Sequence, residues 1–197
     1  MMVSATTVNA ITVNAMQLAA IHYQTGFRID DFMARLDTLL RADNISVGGA
    51  IQQNAAEARG AMTLVDISSG AALEISQRLG PLARGCRLDS GRLAEFGTLL
   101  EHPPLADIDL VILNKFGRAE AEGHGLRRNI EQALEAGKAV LTAVRPPYDD
   151  AWRSFHEGLA AELPPDMERV RAWCREAVQR QRDGDATVSS IQSTESA

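Results

Sequence analysis

Asp109-Leu-Val-Ile-Leu-Asn-Lys-Phe-Gly-Arg-Ala-Glu-Ala-Glu-Gly-His-Gly-Leu-Arg127 decides the fold. Its first part, Leu110 to Leu113, is an unbroken apolar run, the pattern of a strand buried on both faces. Asn114-Lys115 stops the run, and a segment dense in glycine and charge follows. Leu126, Ile130, Ala133 and Leu134 then recur at helical spacing. Strand, polar glycine-rich turn and helix is how an α/β protein builds a ligand site, at the carboxyl end of a parallel strand.

The same alternation extends to both sides. Leu18 to Tyr23 reads as a buried strand, Gln24 to Arg28 as a turn, and Asp30 or Asp31 as the cap of a helix with Phe32, Leu36, Leu39 and Leu40 on one face. Ser46 to Ile51 makes a second strand that finishes at Gln52-Gln53. Met62 to Ile67 and Ala71 to Ser76 form a hairpin about Ser68-Ser69-Gly70. Gln77 to Asp89, with Arg78, Arg84 and Arg87, reads as an ordered loop. Leu93, Phe96, Leu99 and Leu100 mark a helix stopped by Pro103-Pro104. On the other side, Lys138 to Val144 is a further strand. Trp152, Phe155 and Leu159 give a helix face, and Met167, Val170, Trp173, Cys174 and Ala177 mark the last helix. The expected fold is α/β, a three-layer sandwich with a mostly parallel sheet and a β-hairpin inserted after the second strand. Residues 1–15 are expected to be a disordered extension, 16–179 one α/β domain, and 180–197 a disordered polar tail.

Composition sets outer bounds. The chain has 197 residues, enough for one real core, and 45% hydrophobic with 23% charged residues is ordinary for a globular protein. A formal net charge of -6 leaves no basic surplus for phosphodiester chains, so nucleic acid is not an expected partner. No segment reaches the about 20 apolar residues that span a bilayer, so a membrane is not expected either. Cys86 and Cys174 are far apart and in no metal-ligand spacing, which suits reduced thiols and a cytoplasmic setting.

The chemistry is suggested by where polar residues interrupt the strands. A phosphate loop of the Gly-x-x-x-x-Gly-Lys-Ser/Thr kind would follow the first strand. The chain has Tyr23-Gln-Thr-Gly-Phe-Arg-Ile-Asp30, with one glycine, no lysine and no Ser/Thr for magnesium. Backbone amides at the helix N-terminus remain able to hold an anion, although Asp30 and Asp31 oppose one there. Asn114-Lys115 occupies the strand-end place where a magnesium-binding carboxylate would stand. Arg84-Gly-Cys-Arg-Leu-Asp89 sets two guanidinium groups and Asp89 around a glycine, a pattern equally suited to gripping an oxyanion and to an internal ion pair. Glu120, Glu122 and His124 alternate as on an extended segment. Arg127 opens a helix, against the dipole, which suggests an anionic partner such as a ligand or Glu120. His22 reads as a satisfied core histidine.

Ile75 to Asp89 and Leu113 to Arg127 together resemble a bacterial family catalogued as a domain of unknown function, number 2478, and the similarity extends over most of Met16 to Cys174. Members are similar in layout to P-loop nucleoside triphosphatases of the thermophilic type, which also insert a hairpin after the second strand. The resemblance implies a degenerate P-loop-like domain, with some relatives labelled as molybdenum-transport or nucleotide-binding proteins. The expected ligand-binding set is Gln52, Arg84, Arg87, Asp89, Asn114, Lys115, Glu120 and Arg127, facing a nucleotide or small oxyanion. No catalytic residue and no resident metal site are assigned, and a nucleotide with magnesium is the candidate cofactor. Two alternatives stand beside this reading. One is a triphosphate hydrolase or transferase using Lys115 with Glu120 or Glu122. The other is an accessory protein acting through a protein partner.

Overall fold

The computed structural model describes residues 17–53, 62–77, 88–100 and 105–195, with side chains through residue 185. A seven-stranded sheet runs through the molecule in the order β4-β3-β2-β5-β6-β1-β7. Its strands are β1 (Leu18–His22), β2 (Val47–Gln53), β3 (Thr63–Asp66), β4 (Ala72–Glu74), β5 (Leu110–Leu113), β6 (Ala139–Val144) and β7 (Ala160–Leu163). Strands β2, β5, β6, β1 and β7 are mutually parallel, and β3 and β4 add as an antiparallel hairpin on the β2 edge. The helices are α1 (Ile29–Ala42), α2 (Ser90–Leu99), α3 (Arg118–Ala121), α4 (Arg127–Glu135), α5 (Asp149–His156) and α6 (Met167–Glu195).

Alternation along each strand divides the core in two. Ile21, Val47, Leu110, Ile112 and Leu141 point to one face, where Met33, Leu36 and Leu40 of α1 and Val170, Cys174 and Ala177 of α6 cover them. Ala20, Ala50, Val111, Leu113 and Val140 point to the other, under Leu93 and Phe96 of α2, Ile130 and Ala133 of α4, and Trp152 of α5. The expected three layers are therefore present, with β5 buried on both faces as its unbroken apolar run requires. Burial pushes the Cys174 thiol far above its usual range, so it is an inert packing group. Cys86 lies outside the described residues.

Four expectations are corrected. The residues from Ala160 to Leu163, which the sequence attaches to no element, form β7 and extend the sheet beyond β1. This edge strand is only half buried, so it carries no strong apolar signature. Helix α1 begins at Ile29 with Arg28 as N-cap, and Asp30 and Asp31 sit in its first turn rather than capping it. The segment holding Glu120 and Glu122 is not extended, since Arg118–Ala121 is a helical turn. Finally, α6 continues to Glu195 where a disordered tail from Arg180 was expected. Two contacts invisible to periodicity hold its turn at Gln181 and Arg182: Gln181 Oε1 accepts the Ala139 N–H at 3.3 Å, and Arg182 pairs with Asp109 at 2.9 Å. Arg171 also grips Asp43 bidentately, at 2.6 and 2.7 Å, fastening α6 to the end of α1. The extension expected over residues 1–15 lies outside the described residues. None of the described helices is long and apolar enough to cross a membrane.

Candidate functional site

The parallel strands β1, β6, β5 and β2 deliver their carboxyl ends to one rim of the sheet, and that rim is concave. A cavity of about 710 Å³ lies there, lined among others by Thr25, Gly26, Arg28, Asp30, Gln52, Lys115 and Arg145. One wall is the β1–α1 turn. Gly26 has φ +94°, a left-handed conformation that L side chains resist, and it turns the chain onto the uncapped N-terminus of α1. The opposite wall is built by the residues that follow β5 and β6.

At the centre stands a contact between residues 84 and 85 positions apart. Asn114 Nδ2 donates to Asp30 Oδ1 at 2.7 Å, and Lys115 Nζ lies 3.0 Å from Oδ1 and 3.3 Å from Oδ2 of the same carboxylate. Asn114 is 2% exposed, and its Oδ1 is buried with no hydrogen-bond partner. A buried amide oxygen left without a donor costs on the order of 1–3 kcal/mol, which a ligand donor at this spot would recover. Arg145, just past β6, sends Nη1 toward Thr25 Oγ1 at 3.5 Å and also meets the Tyr23 hydroxyl. It has no carboxylate partner among the described residues. Burial pushes the Tyr23 hydroxyl above its usual range despite Arg145, so it remains a neutral donor. Arg28 is paired with Asp31 across the first turn of α1. Three cations and two carboxylates thus line the cleft, a local surplus of one positive charge in an acidic protein.

The pattern of the family described as "Protein of unknown function (DUF2478)" matches residues 18–173 of the chain. The chain belongs to the DUF2478 family. This DUF2478 chain is also 34% identical over 181 residues to "Molybdenum import ATP-binding protein ModC 2" of Bradyrhizobium diazoefficiens. The match takes in 88% of the chain but only 20% of that relative, so the chain spans about a fifth of its length. Among solved structures, a human cancer-related nucleoside triphosphatase superimposes with a TM-score of 0.55 at 15% identity, over 82% of the chain and 96% of that protein. The likeness is one of fold: the DUF2478 domain has the P-loop-NTPase-like α/β architecture.

Of the residues expected to bind a ligand in this DUF2478 chain, Gln52, Asn114 and Lys115 converge on the cleft. Arg84 and Arg87 lie outside the described residues. The other three are occupied elsewhere. Asp89 is the N-cap of α2, accepting the Arg92 N–H at 3.1 Å. Arg127 pairs with Glu131 at 3.1 Å and lies over the Phe155 ring at 4.7 Å, on the flank of α4 and α5. Glu120 is buried, and its carboxylate accepts the N–H groups of Leu126 at 2.9 Å and Gly117 at 3.0 Å. It braces the loop between α3 and α4. Glu122 pairs with Arg118 at 2.8 Å. His22 is half-buried and bonded to Glu162. Arg145, Tyr23 and Asp30 are the cleft residues that periodicity did not single out as ligand contacts. Their signal was position, because Arg145 ends β6 as Asn114 ends β5.

Glu120 gives a pH-dependent prediction. Burial raises its pKa above the usual carboxylate value, against the lowering effect of the backbone N–H groups of Leu126, Gly117 and Glu120 itself. The folded state therefore holds this proton at a pH where the unfolded chain has released it. Its contribution to stability is full below the unfolded value, near 4.5, and is lost as pH rises through the raised folded value. Urea denaturation of wild type and Glu120→Gln between about pH 4.5 and neutrality reads this directly. The wild type should lose stability relative to the variant as pH rises, and parallel curves would contradict the assignment.

Proposed function

We propose that the cleft binds a nucleotide or a related oxyanion without efficient hydrolysis, in a cytoplasmic protein. The observation that carries this reading is Arg145. A half-buried guanidinium without a carboxylate partner among the described residues, aimed at a glycine turn and an uncapped helix N-terminus, is a prepared anion seat. Gly26 lets the backbone approach such a ligand, and Thr25 and Tyr23 offer hydroxyl groups beside it. The triphosphatase fold and a relative named for ATP binding and molybdenum import favour the same class, since molybdate is itself an oxyanion. A link to molybdenum physiology is part of the proposal.

The hydrolase alternative is less favoured by the geometry. It needs Glu120 or Glu122 for magnesium, and both carboxylates are engaged within the fold. Calorimetric titration with ATP, GTP, molybdate and pyrophosphate tests the reading. At least one should bind, with phosphate release at background, and Arg145→Ala should weaken it about tenfold or more, as loss of a charge-assisted contact implies. Folded protein that gives no heat with any of the four overturns it.

A further inference from the structure

Nucleoside triphosphatases of this fold bring their nucleotide with magnesium, held by a Ser/Thr of the phosphate loop and a carboxylate at the end of a core strand. The residues present do not fit that ion. Asn114 stands at the end of β5 and turns its amide nitrogen, a donor, onto Asp30. The Asp30 carboxylate, the anionic oxygen pair of the central contact, is taken by the Lys115 ammonium at 3.0 and 3.3 Å. Among the described residues no group of three or more His, Cys, Asp or Glu side chains gathers to hold a metal. A dication set beside Asp30 would face the Lys115 charge at contact range and would find the carboxylate already neutralised.

We propose that this cleft takes its anion free of metal, with Lys115 as the built-in counter-ion and Asp30 as the internal anion that holds it in place. The inference rests on the anion-binding reading above and specifies the chemical form of its ligand. Asp30 and an incoming phosphate oxygen compete for the same ammonium. A ligand whose charge is not masked by magnesium competes best, because the full anionic charge faces Lys115 and Arg145. The orphaned Asn114 Oδ1 lies beside the same contact and accepts from a ligand hydroxyl or amino group, not from a bare phosphate oxygen.

The test titrates wild type, Lys115→Gln and Asp30→Asn with ATP and with inorganic pyrophosphate, each in EDTA and in excess magnesium, with circular dichroism as the check on folding. Wild type is expected to bind in EDTA at least as tightly as with magnesium. Lys115→Gln should lose about tenfold or more, the scale of one charge-assisted contact. Asp30→Asn keeps an amide at that place but releases Lys115, so it should gain affinity in EDTA. Wild-type binding that appears only with magnesium overturns the inference while leaving anion binding intact. A loss of binding in folded Asp30→Asn that is confined to the magnesium arm does the same, because it would make Asp30 a metal ligand. Should Lys115→Gln fail to fold, the wild-type comparison and Asp30→Asn still decide. No binding of either probe under either condition overturns both readings.

Discussion

Replacing Gly49 with alanine is expected to prevent stable folding. Gly49 lies in the middle of β2 with φ +102°, and it faces Ile112 across the parallel pair with β5. A Cβ there would stand 2.2 Å from the Ile112 carbonyl oxygen and 3.0 Å from its carbonyl carbon and amide nitrogen. These are backbone atoms of a central strand buried along its whole length, so neither side can retreat without unpairing β2. Gly49 also supplies the carbonyl that the Ile67 N–H meets at 2.9 Å, so the β3 end of the hairpin would shift too. Backbone strain and steric overlap at one core site place the loss above about 4 kcal/mol. Domains of this size hold only about 5–15 kcal/mol in total. Gly48→Ala is the control, because its Cβ would meet chiefly the Ile108 side chain, at 2.4 Å from Cδ1, which can change rotamer. Soluble yield and urea denaturation of the two variants give the comparison. A Gly49→Ala midpoint close to wild type would contradict the close approach of β2 and β5.

Trp152→Ala is expected to cost about 3–5 kcal/mol, the usual range for deleting a buried large aromatic. Trp152 is fully buried, and Phe116 meets it edge-on with ring centroids 5.2 Å apart. His156 and Phe155 pack against it at 4.9 and 5.8 Å. Its indole N–H donates to Glu162 Oε1 at 3.0 Å, tying α5 to the edge strand β7. Truncation leaves a cavity under α5 and removes one of the donors to that carboxylate, which His22 and His156 also meet. Trp152→Phe separates the two effects, since it keeps most of the apolar volume and loses only the hydrogen bond, at about 1 kcal/mol. Urea denaturation with unchanged slope should rank wild type, Trp152→Phe and Trp152→Ala in that order. Equal losses for the two variants would mean that the hydrogen bond, not the packing, carries the energy.

Much of the architecture was legible because β1, β5 and β6 are buried on both faces and so appear as apolar runs, interrupted in β6 only by Thr142. The hairpin was legible from Ser68-Ser69-Gly70, a turn sequence between two short strands. What escaped was of two kinds. Strand β7 is an edge element that needs burial on neither full face, so Ala160 to Leu163 gives no periodic signal. The turn of α6 just beyond Arg180 is anchored by Gln181 reaching Ala139 and Arg182 reaching Asp109, contacts made across the fold by polar residues. The same limit applies to the site. Gln52, Asn114 and Lys115 could be placed because each follows directly on a recognisable strand. The pairing of Asp30 with Asn114 and Lys115 could not, since nothing local in either segment encodes it. Glu120 and Arg127 show the converse error: charge in a glycine-rich turn suggested a ligand, yet both side chains work on the loop and helices around them.

Phe116 imposes a direction on how the cleft can adapt. Its side chain is 1% exposed against Trp152 and Phe155, and its N–H is fixed to the Ala143 carbonyl at 2.9 Å. Lys115 and Asn114 are therefore tethered one and two residues from a fixed anchor. Gln24 to Arg28, exposed throughout, form the facing wall. On the proposed reading, a ligand would meet the exposed glycine turn on one side and the anchored strand ends on the other, so the turn would bear on its size and the strand ends on its charge.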